Sequence, residues 1–357
     1  MGNWVKVNIK DILKILYGKD YKDQGAGNIP VYGTGGIMCY INNYLCNWNC
    51  VCIGRKGTIN KPIYIDQPFW CVDTLFYSKE KNDNSPKFQY YLFQTINWDK
   101  LNEASGVPSL SSSTIENIKI FIPNTDEQKR IADFLSLIDQ RIDTQSKIIE
   151  DLELFKNMIS YKVLYEDKTV CYKPLSSFSE LKNGYAFKSN TYSSKGDYQI
   201  VTIANVTGNR YIDLTSSNKI LNIPNDIQSH QILKINDILI SLTGNVGRVS
   251  YCNKLNCLLN QRVGLLSIKN KDLIEYIFQC IHNKIFEKTM ISRGQGVAQL
   301  NIGKYDVESF EIPVYSQDRM NTISEVLKLI DFKIIKEKDI LELYKKQKAY
   351  LLKNMFI

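Results

Sequence analysis

The chain has 357 residues and a formal net charge of +8, with 44% hydrophobic and 23% charged residues. This length allows two cores, since single domains most often hold roughly 100 to 150 residues. The modest basic excess is compatible with a polyanionic ligand but does not identify one. Lys6, Lys10 and Asp11 interrupt the apolar N-terminal stretch. They exclude a signal peptide or membrane span there and predict a cytoplasmic protein with no membrane partner.

The first part of the chain predicts a strand-rich domain followed by a long helix. Residues 1–125 combine short β-rich runs with glycine turns and one helical run, which is typical of an α+β domain. An apolar heptad then extends over 126–165. It opens on Asp126 and Glu127, as suits the positive end of a helix dipole.

The second part repeats this layout. The heptad pattern lapses over 166–173, the predicted linker. Residues 174–317 again combine strand-like runs, glycine turns and one helical run, and 318–357 form a second heptad. The predicted fold class is therefore α+β, with two strand-rich domains alternating with two long helices.

A duplication explains the repeated layout. Gly106–Pro123 aligns with Gly296–Pro313, which places Leu110 opposite Leu300. The alignment then requires two inserted residues after Pro313, before the two copies realign at "LSLID" and "LKLID". Repetition at this distance indicates two copies of one structural unit.

The two heptads also share their interruptions. Apolar residues recur alternately three and four apart, as in a coiled coil. The seam breaks at Gln145 and Lys156 in the first copy and at the equivalent Glu337 and Lys348 in the second. We therefore expect the helices to pair as an antiparallel coiled coil with a pseudo-twofold internal repeat. The alternative is that they pack on their own domains or mediate dimerisation.

Catalytic and metal-binding patterns are absent from the sequence. The substrate clamp of an amino-methyltransferase requires two adjacent prolines, and this sequence contains no such pair. The run "GRKGTINKP" lacks the glycine spacing of a P-loop. Isolated acid-x-Lys fragments do not supply the clustered carboxylates of a metal nuclease. Nine cysteines and two histidines show no zinc-ligand spacing. We expect buried free thiols, no metal or other cofactor, and a binding protein with no catalytic residues.

Glycine-bearing loops that combine cations, amides and hydroxyls are the strongest binding signal. Backbone amides on such turns approach phosphates, while Arg and Asn side chains reach base edges. An overlay of Val51–Lys61 on Ile238–Arg248 places Gly57 opposite Gly244. A solvated turn is the alternative for any single residue, and the concentration of such residues in both domains favours DNA. The candidate DNA-contacting residues are Tyr32, Thr34, Arg55, Lys56, Thr58, Asn60, Lys61, Ser109, Ser111, Thr243, Asn245, Arg248, Gln261, Arg262, Arg293, Gln295, Gln299 and Asn301.

This arrangement resembles the specificity subunit of type I restriction-modification systems. Two α+β domains are each followed by a long helix, and the first helix opens with Ile-Pro and then Glu-Gln. The runs "IPVYGTGGIM", "IGRKGTI" and "FWCVDTLFYS" are similar to one common type of target-recognition domain in that family. The second copy departs at Ser316-Gln317-Asp318, where Glu-Gln is not reproduced.

The resemblance implies that each domain reads one half of a split DNA target and that the paired helices act as a spacer. It implies that two modification subunits dock to form a methyltransferase, which restriction subunits join, and that the chemistry resides in these partners. Dissimilar loops on a repeated scaffold predict an asymmetric target. The candidate partner-contacting residues are Ile122, Pro123, Glu127, Gln128, Ile312, Pro313 and Gln317. The alternative function is a coiled-coil interaction protein without sequence-specific DNA recognition.

Overall fold

The residues described by the computed structural model are 4–167, 169–296 and 299–356. They form two compact units, of which the first comprises 1–147 with 339–357 and the second comprises 148–338. Each unit holds one strand-rich domain and a segment of each of the two long helices.

The sheets of the first unit are built by short strands. These strands are β1 (Val5–Asn8), β2 (Leu13–Tyr17), β3 (Ala26–Gly33), β4 (Gly36–Ile41), β5 (Cys50–Gly54), β6 (Ile63–Ile65), β7 (Trp70–Cys71), β8 (Leu75–Glu80) and β9 (Lys119–Ile122). They pair as a four-stranded sheet in the order β2-β8-β5-β6, a three-stranded sheet in the order β4-β3-β7, and a β1-β9 ribbon. The antiparallel ribbon brings the two ends of the domain together.

The helices of the first unit close one side of this core. They are α1 (Ile9–Ile12), α2 (Pro86–Thr95), α3 (Ser112–Glu116), the first part of α4 (Thr125–Tyr165) and the last part of α8 (Gln317–Met355). Helix α2 starts sharply because Ser85 accepts a hydrogen bond from the Phe88 amide and Pro86 occupies the first turn. It buries Phe88 and Leu92 in the same cluster as Val51 of β5. Each such side chain contributes roughly 1.5 to 3 kcal/mol of stability.

The second unit repeats these sheets with its own strands. They are β10 (Cys171–Pro174), β11 (Ser179–Asn183), β12 (Tyr198–Val201), β13 (Lys219–Ile220), β14 (Ile238–Ser241), β15 (Val249–Tyr251), β16 (Cys257–Leu259), β17 (Val263–Ile268) and β18 (Glu311–Val314). The sheet orders are β11-β17-β14-β15, β13-β12-β16 and β10-β18, which match the first unit strand for strand. Both three-stranded sheets also combine one antiparallel and one parallel pair.

The helices of the second unit are the last part of α4, α5 (Ile274–Ile281), α6 (Lys284–Arg293), α7 (Lys304–Glu308) and the first part of α8. The sequence predicted one helix where α5 and α6 are separate. The break occurs because Asn283 leaves the helical conformation and accepts hydrogen bonds from the amides of Ile285 and Phe286, which caps α6.

Backbone pairing corrects the alignment of the two copies. Leu110 N donates to Arg55 O at 2.9 Å, and the equivalent bond in the second unit runs from Ile302 N to Leu242 O at 2.9 Å. Leu110 therefore corresponds to Ile302 and not to Leu300. The starts of β9 and β18 are separated along the chain by the same number of residues as Leu110 and Ile302. The two copies therefore keep one offset here, and the predicted insertion after Pro313 is wrong. The pairing of β9 with β1 and of β18 with β10 determines which residues of the two copies are equivalent. The repeated Ile-Pro dipeptide does not mark equivalent residues.

The long helices contribute to the core of each unit. Ile131 and Leu135 of α4 are buried among the residues of the first domain, and Leu351 of α8 packs against the same cluster. In the second unit, Leu164 of α4 and Leu327 of α8 are part of the main apolar cluster. Each long helix thus contributes to both units and does not pack on its own domain alone, as the alternative interpretation had it.

Two further observations concern the predicted linker and the length of the helices. The predicted linker 166–173 overlaps strand β10, because Cys171 and Lys173 pair with β18 and close the second domain. Among the described residues, no helix combines the length and apolar character needed to span a membrane.

Candidate nucleic-acid interface

In the first unit, a glycine turn after β5 is held by the loop that precedes α3. Gly57 N donates to Pro108 O at 2.8 Å, and Lys56 forms an isolated antiparallel bridge with Ser109. Gly57 has a φ of +92°, a conformation that residues with side chains rarely adopt. The turn therefore presents Lys56 beside Ser109, which brings together two loops that the sequence named separately as candidates.

The tip of the β3–β4 hairpin completes this surface. A Cβ atom built on Gly57 would lie 3.4 Å from Thr34 Oγ1. Thr34, Lys56 and Ser109 thus come from distant parts of the chain and lie around one turn. Lys56 and Lys61 are exposed, and Thr34 and Thr58 are partly exposed.

Other candidates in the first unit are engaged in the fold. Arg55 donates to Asp73 O at 3.2 Å and lies over the Tyr17 ring, with 5.6 Å to its centroid. Asn60 donates to the Asp99 carboxylate at 3.2 Å. Such contacts position the loops and leave these side chains less available to a ligand.

Tyr32 and Ser111 are also structural. The Tyr32 ring packs edge-on against Phe69, with 5.9 Å between ring centroids. Ser111 caps α3 by accepting from Thr114 N at 3.1 Å and donates to Glu103 Oε1 at 2.9 Å. At both positions the side chain has the chemistry for binding DNA but is engaged in contacts within the protein.

The second unit forms the same kind of turn with different side chains. Gly244, with a φ of +71°, donates its amide to Leu300 O at 2.8 Å. Gln295 and Asn301 exchange backbone hydrogen bonds of 3.0 and 2.8 Å, and Thr243 bridges to Asn301. The backbone equivalence of the two glycine turns confirms the predicted overlay.

Amides dominate the surface of this second turn. A Cβ atom on Gly244 would lie 3.0 Å from Gln299 Nε2, so that amide lies against the turn. Asn245, Gln295, Gln299 and Asn301 are all exposed. Val297 and Ala298 of this loop lie outside the described residues.

Two of the predicted arginines in the second unit are engaged within it. Arg248 Nε lies 3.8 Å from Glu287 Oε1. Arg293 donates to Asp306 O at 2.5 Å and to Ser309 Oγ at 3.2 Å, which ties α6 to α7. Gln261 and Arg262, which precede β17, remain exposed.

The predicted partner contacts are mostly inside the fold, which corrects that prediction. Gln128 is 1% exposed, donates to Asn84 Oδ1 at 2.8 Å and accepts from Ser85 N at 3.1 Å, so it joins α4 to the start of α2. The buried members of this set have no surface that a partner can contact, and they are Ile122, Pro123, Gln128, Ile312 and Pro313. Glu127 is partly exposed and Gln317 is exposed.

A buried charge cluster in the second unit was missed by the sequence reasoning. Asp331 of α8 receives Lys156 Nζ at 2.5 Å on Oδ1, and Arg210 and Gln279 at 3.0 and 2.9 Å on Oδ2. Arg210 also binds Glu275 through both of its terminal nitrogens at 2.6 and 2.9 Å. The break of the seam at Lys156 was the available signal, since a lysine on an apolar face needs a partner.

The first unit has a smaller version of this cluster at the equivalent positions. Lys348 lies 2.7 Å from Asp139, and Tyr91 donates to the same carboxylate at 2.8 Å. The side chains of this pair are 18% and 27% exposed, against 9% and 5% for Lys156 and Asp331. Each lysine that interrupts the seam is therefore paired with the aspartate that ends the repeated "LID" run.

Burial and charge shift two titrations in this cluster. Burial alone would raise the pKa of Asp331, but the charge of the adjacent Lys156 and the hydrogen bonds from Lys156 and Gln279 together lower that pKa below its usual value. Burial, together with the Lys156 charge, lowers the pKa of His282 to about 3. His282 Nε2 lies 2.8 Å from Gly208 O, so the neutral ring is held between α5 and the loop after β12.

No group of three or more metal-ligating side chains occurs among the described residues. All nine cysteines are free, but the expectation of buried thiols is wrong for Cys171, which is exposed, and for Cys39, which is partly exposed.

The chain matches a family model described as the type I restriction modification DNA specificity domain over residues 1–154 and 168–347. It is 25% identical over 305 residues to the putative type I restriction enzyme MjaX specificity subunit of Methanocaldococcus jannaschii, covering 80% of this chain and 64% of that relative. It is also 25% identical over 407 residues to the MjaVIII specificity subunit of the same organism, covering 98% of this chain and 92% of the relative. The chain thus spans just under two thirds of the first relative and most of the second.

Solved structures share the fold. The S subunit of a type I restriction-modification system from M. genitalium superposes with a TM-score of 0.67 at 16% identity, covering 100% of this chain and 96% of that one. A chain from a study of complex assembly and conformational transition of the type I R-M system superposes with a TM-score of 0.58 at 13% identity, covering 99% and 97%.

Proposed function

The chain belongs to the type I restriction modification DNA specificity family, and we propose that it reads a split, asymmetric DNA target with one half-site per unit. Specificity subunits are the non-catalytic members of such systems, so this chain is not an enzyme. The observation that carries the proposal is the pair of equivalent glycine turns at Gly57 and Gly244, which share backbone geometry but not side chains.

The chemistry of the two turns supports different half-sites. The first turn offers Lys56 and Lys61, which suit phosphate contacts or guanine. The second offers the exposed amides of Asn245 and Gln299, which suit the donor and acceptor pattern of adenine. One backbone frame with two sets of side chains therefore fits an asymmetric target.

From the original candidates, we retain those whose side chains remain accessible and lack a committed structural role. Phosphate and base contacts both require side chains that are free to leave the protein surface. The retained DNA-contacting residues are Thr34, Lys56, Thr58, Lys61, Ser109, Asn245, Gln261, Arg262, Gln295 and Gln299. Thr243 is set aside because its Oγ1 is buried, and Asn301 because its side chain donates to Gln299 O at 3.0 Å.

We further propose that α4 and α8 pair as an antiparallel coiled coil that acts as a spacer and creates a pseudo-twofold repeat. The equivalent pairs Lys156–Asp331 and Lys348–Asp139 support this arrangement, because each joins α4 to α8 within its own unit. In the second unit, Glu153 also binds Lys338 at 2.7 Å. Relative to the Lys156–Asp331 pair, this contact lies earlier on α4 and later on α8, which supports an antiparallel pairing. Helix α4 has 41 residues, or about 60 Å at roughly 1.5 Å per residue.

Exposed apolar residues on the helices suggest where partners dock. Phe134 and Leu137 on α4 are 44% and 56% exposed, and the equivalent Val326 and Leu329 on α8 are 43% and 65% exposed. Equivalent apolar pairs suit two copies of one partner, which we propose are modification subunits, with restriction subunits joining the assembly. Glu127 and Gln317 at the helix starts remain candidate contacts. A chromosomal DNA ligand implies the cytoplasm as the compartment.

Competition binding tests the proposed function. A target selected from random duplexes with the full-length chain is synthesised with either half scrambled, and affinity is measured at several salt concentrations. Both halves should be required. Lys56→Ala should weaken binding and reduce the salt slope by about one unit, the share of a single phosphate contact.

Lys345→Ala is the matched control, since it removes the same charge from an exposed site on α8 of the same unit. It should leave both affinity and salt slope near those of the parent. Binding without any sequence preference would instead favour a coiled-coil interaction protein, and an uninterrupted palindromic target would contradict the assignment of one half-site to each unit.

A further inference from the structure

The β3–β4 hairpin of the first unit carries apolar side chains that the fold leaves in water. Ile37 is 48% exposed, Met38 is 57% exposed and Tyr40 is 54% exposed. Single exposed apolar residues are ordinary on a protein surface, but adjacent ones at the tip of a hairpin form a local patch.

A β-bulge produces this patch. Ile37 pairs with Tyr32 and Cys39 pairs with Val31, so Met38 is the extra residue between them. In a regular strand, neighbouring side chains point to opposite faces, and a bulge redirects one of them. A Cβ atom on Gly33 would lie 2.7 Å from Met38 Sδ, so the glycine leaves the space that this thioether occupies. Ile37 and Met38 are therefore both presented to solvent.

The tip of the hairpin that carries this patch meets the cationic turn. Thr34, at the hairpin tip, lies against Gly57, and the neighbouring Lys56 is exposed. No ion pair or side-chain hydrogen bond of Lys56 is found within the part of the chain that the structure describes. A cation that holds a phosphate would bring the adjacent apolar tip to the groove beside that phosphate.

We propose that Ile37 and Met38 read thymine methyl groups in the half-site bound by the first unit. This inference rests on the proposed function. The C5-methyl of thymine is the apolar group among the major-groove base edges, and apolar side chains discriminate thymine through it. The opposite charges of Lys56 and the DNA backbone favour duplex DNA over an apolar protein partner as the occupant of this patch.

The second unit differs at the corresponding place. Its β12–β13 pair is short, and a Cβ atom on Gly244 would lie 3.0 Å from Gln299 Nε2 and 3.6 Å from Cδ1 of the partly exposed Ile203. The β12–β13 pairing is regular and has no bulge like the one at Met38, so uracil substitutions in the half-site of the second unit serve as a comparison.

Replacement of thymine by uracil tests the inference, because it removes the methyl group and retains base pairing. Each thymine of the selected target is replaced singly, and affinity for the full-length chain is measured at fixed salt. We expect at least one thymine in the half-site of the first unit whose replacement weakens binding about fourfold, the factor for one buried methyl carbon. Ile37→Ser or Met38→Ser should bind the thymine and uracil duplexes equally, and Met38→Leu should keep the preference.

Val5→Ser is the matched control, because Val5 is 53% exposed on the β1–β9 ribbon of the same unit. This variant should keep the full preference for thymine. Specific binding with no uracil-sensitive thymine in that half-site would overturn the inference and leave the proposed function intact. Serine variants that lose a protein partner but retain the preference for thymine would overturn it as well. Absence of any sequence-specific binding would refute the proposed function itself.

Discussion

Replacing Lys156 with methionine should destabilise the second unit far more than the equivalent replacement of Lys348 destabilises the first unit. Methionine keeps the apolar stem of the lysine and removes the ammonium that lies 2.5 Å from Asp331 Oδ1 and 2.9 Å from His282 Nδ1. Asp331 would remain buried with Arg210 and Gln279 as donors. Breaking a buried pair costs about 3 to 5 kcal/mol, and the remaining donors place the expected loss near the lower end, at about 3 kcal/mol.

Lys348→Met is the matched control. It removes the equivalent lysine from an ion pair of 2.7 Å whose side chains are 18% and 27% exposed. Solvent screening limits such a pair to about 1 kcal/mol. Urea denaturation followed by far-ultraviolet circular dichroism gives both losses from the shift in midpoint.

A double-mutant cycle of Lys156→Met with Asp331→Asn should give a coupling energy of about 2 kcal/mol, as expected for residues in direct contact. Equal losses for the two lysine variants would refute the reasoning, because burial would then not determine the strength of these pairs. A stabilising effect of Lys156→Met would refute it as well.

Three further predictions concern His282, the length of helix α4 and the turn at Gly57. As the pH falls from 7 to 4, the unfolded chain takes up a proton at His282 that the folded chain does not, because burial lowers the folded pKa from 6.5 to about 3. This group should therefore lower the free energy of unfolding by up to about 1.4 kcal/mol per pH unit. In urea melts at several pH values, His282→Gln should remove this contribution to the pH dependence, and the control His230→Gln should not. Inserting four residues after Gln145 should lengthen α4 by about 6 Å and shift its later seam, so genome-wide methylation mapping should show both half-sites retained with a changed spacing, or no binding. Gly57→Ala should cost about 1 to 2 kcal/mol of folding stability in urea melts, because its φ is +92°; a target affinity equal to that of the parent would show that this turn does not face DNA.

Much of the architecture could be predicted from the sequence, because apolar periodicity and glycine turns report on local backbone geometry. The overlay of Gly57 on Gly244 is confirmed by equivalent backbone hydrogen bonds from both amides. The offset between the copies was misjudged by two residues. An apolar match such as Leu110 with Leu300 records burial, whereas pairing with distant strands determines register.

The binding candidates were harder to predict because the same side chains serve two purposes. Arg293 and Asn60 have the chemistry of DNA contacts, yet they bind Asp306 and Asp99 within the protein. Their partners lie in other segments and become neighbours only after folding. The bulge at Met38 was not predictable for the same reason, since it depends on pairing between β3 and β4.

The most direct test of a split target with one half-site per unit is methylation mapping in cells that lack other DNA methyltransferases. This chain is co-expressed with a type I modification subunit, and the methylated positions are compared with those made by the Arg262→Ala variant. We expect two different short sequences at a constant spacing, and the variant should relax the half-site read by the second unit alone. Methylation at an uninterrupted palindrome, or a pattern unchanged when this chain is omitted, would contradict the account.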